Sequence, residues 1–145
     1  MSGIRLEIDL NNSTLQQTLH RLQGADRAGL LAAIGEYQLS ETLQNFDAER
    51  TPEGVAWQQS QRAADSGGKT LQHKGHLRDS YTYQVSGNAV ELGSNMIYAA
   101  IHHAGGKAGR GRSVTISART ALGVTAQNET EISQIGLDYL QSIIQ

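Results

Sequence analysis

The chain contains no cysteine, and this absence removes several kinds of site at once. A disulfide framework, a cysteine-ligated zinc centre and a thiol nucleophile are all excluded. The 145 residues fit one domain, and a chain of about this size buries roughly 70% of the surface that its unfolded form exposes. The protein can therefore fold without a metal or a covalent cross-link.

Proline and long apolar runs are scarce as well. One proline stands against 16 glycines, so we expect several flexible loops. No stretch approaches the ~20 apolar residues of a membrane helix, and the opening sequence MSGIRLEIDL lacks the basic start and apolar run of a signal peptide. We therefore expect a soluble protein that is made and used without export and without a membrane partner.

Acidic residues are missing from one long part of the chain. All 14 acids lie in residues 1–91 or 129–145, whereas residues 92–128 carry only cations, namely Lys107, Arg110, Arg112 and Arg119. The net charge of −2 hides this separation. It favours association with an acidic partner, which can be a neighbouring copy of the same chain. The alternative is a solvated basic loop without a partner.

The first half of the sequence predicts helices. Leucines at helical spacing favour a helix over residues 14–22, and a longer amphipathic pattern favours one over 26–46, although Gly29 and Gly35 weaken it. After a turn signal at 51–54, a short helix is expected over residues 58–64.

The second half predicts short strands and a final helix. Apolar residues alternate with polar ones over 81–85 and again over 90–92, on either side of a turn at 86–88, which indicates a β-hairpin. Residues 98–103 fit one helical turn or more sheet equally well. Residues 105–112, GGKAGRGR, predict a mobile basic loop. Val114 and Ile116 predict a strand, and residues 118–124 an irregular segment that returns from it.

The chain is predicted to close with a helix. Asn128 followed by Glu131 resembles a helix start, and an apolar stripe runs to the end through Ile132, Ile135, Tyr139 and Ile143. We therefore predict one α+β domain over residues 1–145. Its N- and C-terminal helices pack on a small, mainly antiparallel sheet, with a long Gly-rich basic loop.

No combination of residues predicts catalysis or a cofactor. His102 and His103 are adjacent and point to different faces of any regular element, which is poor geometry for one metal ion. Ala108 follows Lys107 where a phosphate-binding loop needs Ser or Thr. Ser80 lies near a histidine and an aspartate but lacks the strained turn of a nucleophile. We predict no catalytic, cofactor-binding or metal-binding residue, with a small hydrolase of unseen site as a remaining alternative.

A second alternative is a sequence-independent DNA-binding module that uses the basic loop at 105–112. Lys107, Arg110 and Arg112 can contact phosphates without reading bases. Three cations make a weak binder unless a ring of subunits multiplies them.

The order of four motifs is more informative than any single residue. Phe46 is followed by TPEG at 51–54 and by Trp57, and Leu71 by GHLRDS at 75–80. VELGS at 90–94 leads to YAAIHHAGG at 98–106, and ISARTALG follows at 116–123. Over about residues 46–123 these motifs resemble the phage virion morphogenesis family, the tail-completion and head-tail joining proteins of long-tailed phages that include Mu-like G proteins.

The last motif departs from the family pattern Ile-Pro-Ala-Arg-Pro-Phe-Leu-Gly. Ser117 and Thr120 stand where prolines are usual, and Ala121 stands where phenylalanine is usual. These departures predict a looser turn with weaker local packing.

The resemblance implies a structural protein rather than an enzyme, needed late in assembly when filled heads and tails become competent to join. Related neck and tail-completion proteins form rings around the DNA passage, commonly sixfold. The implied partners are copies of the chain in a hexameric ring, neighbouring head-tail connector or tail tube proteins, and DNA in the channel through non-specific contact. The implied location is the head-tail junction of the virion, after assembly in the host cytoplasm. Head closure, tail termination and an intermediate ring all remain open.

Within that resemblance, each motif residue has an expected role. Lys107, Arg110 and Arg112 are expected to contact an acidic surface of the adjacent subunit or of the next ring. Arg119 is expected to pair with an acid of its own chain or of a neighbour.

The other motif residues are expected to be structural. Four should lie in the core or anchor loops, namely Trp57, Leu77, Tyr98 and Ile101. His102 should cap or hydrogen-bond the loop. Three glycines should take backbone angles that are closed to other residues, namely Gly93, Gly105 and Gly106.

Overall fold

The computed structural model describes residues 3–8, 17, 20–22, 24–71, 75–87 and 89–144. The strands within this part are β1 (Ile4–Ile8), β2 (Thr82–Ser86), β3 (Ala89–Ser94), β4 (Gly106–Ala108) and β5 (Val114–Ile116). The helices are α1 (Ala25–Ala48), α2 (Gln61–Ser66), α3 (His76–Asp79), α4 (Ala99–Ala104) and α5 (Ala126–Ile144), and a 3-10 turn spans Arg110–Arg112. The predicted α+β fold is confirmed. The predicted helix over residues 14–22 falls mostly outside the described residues.

A three-stranded antiparallel sheet with the order β1-β3-β2 forms the centre of the fold. The predicted hairpin is β2 and β3, with Val85 opposite Val90. Strand β1 was not predicted, although its Ile4, Leu6 and Ile8 alternate with charged residues as a half-buried strand requires. It places Leu6 opposite Leu92 on the buried face of the sheet.

Helix α1 covers that buried face and also packs against helix α5. Two glycines of α1 lie where aromatic rings close on it. A Cβ at Gly29 would lie 2.1 Å from Tyr139 Oη, and one at Gly35 would lie 2.3 Å from the ring of Tyr83. The residues that weaken the helical pattern are therefore the ones that allow close packing of α5 and β2 on the helix.

Two clusters of buried side chains make up the core. The first lies between α1, the sheet and α5 and contains Ile8, Leu22, Leu30, Leu31, Ile34, Val90 and Ile132. The second joins the end of α1 to the segments that precede and follow the β2-β3 hairpin in sequence. It contains Phe46, Trp57, Leu77, Tyr81, Leu92, Ala99, Ala121 and Leu122. The second cluster therefore draws together the motifs that are spread from residue 46 to residue 123.

The start of α5 differs from the prediction. Thr125, not Asn128, caps the helix. The backbone N–H of Asn128 donates to Thr125 Oγ1 at 3.1 Å, and the backbone N–H of Thr125 donates to Asn128 Oδ1 at 2.9 Å. This is a reciprocal capping box three residues before the predicted one. Asn128 is 7% exposed and also donates to Tyr37 Oη at 3.0 Å, which ties the helix start to α1.

The structure also decides one segment that the sequence left open and shifts the start of another. Residues 98–103 are helical in α4 rather than a continuation of the sheet. The short helix after Trp57 begins at Gln61, where Ser60 Oγ accepts a hydrogen bond from the Ala63 amide at 3.2 Å.

Candidate interaction surface: the basic hairpin and its base

The predicted Gly-rich loop contains one strand and one turn of a small β-hairpin. Strand β4 pairs antiparallel with β5, and Lys107 lies opposite Thr115. The hairpin leaves α4 abruptly through Gly105 and Gly106, whose φ angles are 75° and 148°. A Cβ at Gly105 would also lie 2.9 Å from the Ala118 amide nitrogen. Both glycines thus take backbone angles that other residues rarely adopt.

Three of the four predicted cations lie on this hairpin and point into solvent. Lys107, Arg110 and Arg112 are exposed, as is every residue of 106–115 apart from Ala108. In the described part of the chain none of the three forms an ion pair. Val114 is 50% exposed on the same hairpin. The hairpin is therefore a cationic arm with an apolar side chain that the described residues leave half exposed.

Arg119, the fourth predicted cation, is separate from the other three. It is 9% exposed and lies at the base of the hairpin, where its Nε donates to the Gln58 carbonyl at 2.7 Å. Its backbone amide donates to the His102 carbonyl, also at 2.7 Å. Burial lowers the pKa of Arg119. No acid among the described residues pairs with it, so the expected partner within its own chain is not found there.

The segment that follows Arg119 is irregular but firmly held. Trp57 Nε1 donates to the Thr120 carbonyl at 2.9 Å, and Asn45 Nδ2 donates to the Ala121 carbonyl at 3.0 Å. Gln38 donates to the Gly123 carbonyl at 2.8 Å. Trp57 and two side chains of α1 thus replace the backbone partners that a strand or helix would supply.

The departures from the family motif have a counterpart in these contacts. Thr120 Oγ1 donates to the His103 carbonyl at 3.0 Å, and Ser117 Oγ donates to Gln58 Oε1 at 2.8 Å. Proline at either position offers no such donor. Ala121 is 2% exposed in the second core cluster. Hydrogen bonds therefore hold this turn where the family pattern has proline rings.

The predicted core residues surround this segment. Trp57 is buried with its ring 5.4 Å from that of Phe46 in an edge-on arrangement, and Leu77 is buried in the same cluster. Tyr98 packs against the cluster and lies edge-on to the His102 ring at 5.9 Å. Ile101 is half-buried, and its carbonyl accepts the Gly105 amide at 2.7 Å, at the root of the hairpin.

Two expectations about motif residues need correction. His102 anchors the hairpin through its backbone carbonyl, whereas its imidazole Nδ1 is buried without a partner in the described part of the chain. Gly93 has no left-handed backbone angle. Its role is a close approach of strands, because a Cβ there would lie 2.1 Å from the Ile4 carbonyl oxygen of β1.

His102 and His103, considered for metal binding, and Ser80, considered as a nucleophile, have structural surroundings. Burial lowers the pKa of His102, with a smaller contribution from the Arg119 charge, and burial also lowers the pKa of His103. Ser80 Oγ lies 2.6 Å from both the Leu77 carbonyl and Ser94 Oγ, so it joins α3 to the sheet. The described residues contain no cluster of three potential metal ligands.

The residues that sequence reasoning missed are the polar side chains of α1. Gln38 and Asn45 are 1% and 5% exposed and hold carbonyls far along the chain. The available signal was their position on the otherwise apolar face of the helix, at a spacing of seven residues.

In the described ranges no helix is long and apolar enough to span a membrane.

Comparison with known proteins identifies the family of this chain. A model of the phage virion morphogenesis family matches residues 10–141. The chain is 37% identical over 142 residues to the Mu-like prophage FluMu G protein 2 of Haemophilus influenzae, an alignment that covers 96% of this chain and 99% of that protein. No solved structure matches the chain. The chain therefore belongs to the phage virion morphogenesis family, and its role is a structural one in the formation of phage particles.

Proposed function

We propose that the chain forms a ring at the head-tail junction of a phage particle and makes heads and tails competent to join. The observation that supports this is a pair of exposed surfaces of opposite charge on one chain. The hairpin presents Lys107, Arg110 and Arg112, whereas α5 presents Glu129, Glu131 and Asp138 and contains no lysine or arginine.

Two different complementary surfaces favour head-to-tail contacts between copies. Such contacts are heterologous, and they close into a ring when the rotation between neighbours fits a whole number of subunits. The hairpin of one copy would lie on α5 of the next, and a hexamer would repeat that contact six times around the channel, in keeping with the symmetry common among related neck proteins.

The exposed hairpin itself supports a role in contacts with a partner. A two-stranded hairpin is marginally stable in water unless it packs on something else. Val114, half-exposed on β5, would gain from burial against a neighbour. The cations and the apolar side chain of the hairpin thus favour the same outcome, which is contact with another subunit.

Charge reversal tests the contact between copies. The double variant Arg110→Glu/Arg112→Glu should abolish joined particles, and Glu129→Arg/Glu131→Arg should do the same, because each places like charges opposite one another. The combined fourfold variant should restore joining in part. Arg21→Glu changes an exposed cation outside the hairpin and serves as the control. Normal particle yield from the first double variant would refute the contact.

Electron cryo-microscopy of the intact particle tests the location. A symmetric ring of this chain is expected at the head-tail joint, with the hairpin of each copy on its neighbour. The absence of the chain from finished particles would contradict a ring in the mature junction.

The absence of acids from residues 92–128 supports a second candidate, a sequence-independent contact between the hairpin and DNA. Three phosphate contacts predict that the logarithm of the binding constant falls with the logarithm of salt concentration with a slope of about −2.7. Fluorescence anisotropy with a short duplex at low salt measures this slope. No binding at low salt would remove this candidate.

A further inference from the structure

A groove lies at the base of the hairpin, between β5, α4 and the segment that leads into α2. It encloses about 630 Å³, within the range of sites that hold small ligands or short peptide segments. Four side chains that carry or can gain a positive charge line it, namely Arg62, His76, His102 and Arg119. None of the described residues that line it is an aspartate or a glutamate. The groove therefore favours an anionic group.

Arg119 is the buried cation that lines this groove. Its side chain is the buried cation described above, and its one hydrogen bond to a described residue runs from Nε to the Gln58 carbonyl. The two terminal amino groups remain to donate, and a planar guanidinium matches the two oxygens of a carboxylate. Because burial lowers the pKa of Arg119, its positive charge is poorly solvated and an incoming negative charge would stabilise it.

One wall of the groove is the edge of a strand. Val114, Thr115 and Ile116 of β5 line it, and among the described strands β5 pairs only with β4. A strand with one open edge can accept an extended peptide as a further strand.

The remaining lining favours a peptide over a nucleic acid. Leu71, Leu77 and Tyr98 add apolar atoms to the lining. A phosphate backbone would be bound mainly by exposed cations that follow its path. Apolar walls, one buried guanidinium and a free strand edge together fit an extended chain with a single carboxylate.

We propose that this groove binds an extended segment of a partner protein, with its backbone along the free edge of β5 and an aspartate or glutamate carboxylate on Arg119. The site is distinct from the exposed hairpin cations and does not require a ring. A test on the isolated chain is therefore independent of the proposed function.

A matched pair of peptides tests the proposal on the purified full chain. The probes are the capped pentapeptide acetyl-TVEVT-amide and its counterpart acetyl-TVQVT-amide, titrated while NMR follows the Arg119 Nε–Hε signal and the His102 imidazole. The glutamate peptide should bind at least tenfold more tightly than the glutamine peptide. It should also raise the pKa of His102, since a carboxylate offsets the nearby Arg119 charge.

Two variants separate binding from folding. Arg119→Lys keeps the charge but loses the two-oxygen fit, and it should weaken binding of the glutamate peptide at least tenfold. Val114→Glu changes an exposed residue, so the fold should be retained, and its added carboxylate should also weaken binding at least tenfold. Arg110→Gln lies outside the groove lining and should leave the affinity unchanged.

Three results would overturn the proposal. They are equal affinity for the two peptides, no binding of either peptide at millimolar concentration, and tighter binding of inorganic phosphate or a short single-stranded oligonucleotide than of the glutamate peptide.

Discussion

Replacement of Gly93 by alanine tests the central strand pairing of the fold. Gly93 lies on β3 opposite Arg5 of β1, and a Cβ there would come within 2.1 Å of the Ile4 carbonyl oxygen and 2.8 Å of Arg5 Cα. Its backbone angle is open to alanine, so the whole effect of Gly93→Ala would arise from this clash.

The magnitude follows from what must move. Overpacking of a core typically costs about 1–3 kcal/mol, and the lower values arise where flexible side chains can yield. Here the opposing atoms are backbone in a paired strand, so β1 must shift away from β3 and part of the burial of Leu6 and Ile8 is lost. We expect a loss of about 3 kcal/mol in the free energy of unfolding, which lowers Tm by roughly 9 °C in a chain of this size.

Urea unfolding and calorimetry of Gly93→Ala would measure this loss. Gly87→Ala is the matched control, because a Cβ at Gly87 meets nothing within 4 Å although its φ is 59°. That variant should lose only about 1 kcal/mol, from the left-handed backbone angle. If Gly93→Ala is no less stable than Gly87→Ala, the close approach of β1 to β3 is refuted.

Three further predictions concern the anchors of the fold. Trp57→Phe keeps most of the ring packing but leaves a carbonyl without its donor, so stability should fall by about 1–3 kcal/mol; an unchanged urea midpoint would show that the bond contributes nothing. Thr125→Ala should cost about 1 kcal/mol through loss of the helix cap, and Thr130→Ala, within the exposed face of α5, should cost less; the reverse order would argue for a later helix start. The pKa values of His102 and His103 are lowered in the folded chain from the ordinary 6.5. Below about pH 6.5 the unfolded chain therefore binds more protons than the folded chain. The free energy of unfolding should be highest above that pH and should decrease as the pH falls towards the lowered pKa values of the two histidines. The double variant His102→Gln/His103→Gln should flatten this profile, and a flat profile in the unaltered chain would contradict the reasoning.

Local sequence patterns predicted the elements whose partners are close along the chain. The long amphipathic helix α1 and the hairpin of β2 and β3 were predicted because helical and strand periodicities are local properties. Strand β1 was missed although its alternation is visible. Five residues of alternation are a weak signal, and the partner strand lies more than 80 residues away.

Capping signals show the same limit at the start of α5. The pair Asn128 and Glu131 has the same three-residue spacing as the pair Thr125 and Asn128 that forms the cap. The contact between Asn128 and Tyr37 of α1 favours the earlier start. That contact joins segments 91 residues apart, so no local pattern contains it.

The candidate interaction surface was predictable in charge but not in arrangement. The absence of acids from residues 92–128 is a property of composition, and it identified four cations that belong together in sequence. The fold divides them, since three are exposed on the hairpin whereas Arg119 is buried at its base.

The sequence by itself determined the α+β class, the family through the order of its motifs, and the sign of the charge that the hairpin presents. All three follow from residue types and short spacings, which the linear chain already contains. Only the tertiary structure decided that β1 completes the sheet, that side chains of α1 hold the segment after Arg119, and that Arg119 lines a groove apart from the other cations. These features depend on burial and on hydrogen bonds between distant segments, which exist only once the chain has folded.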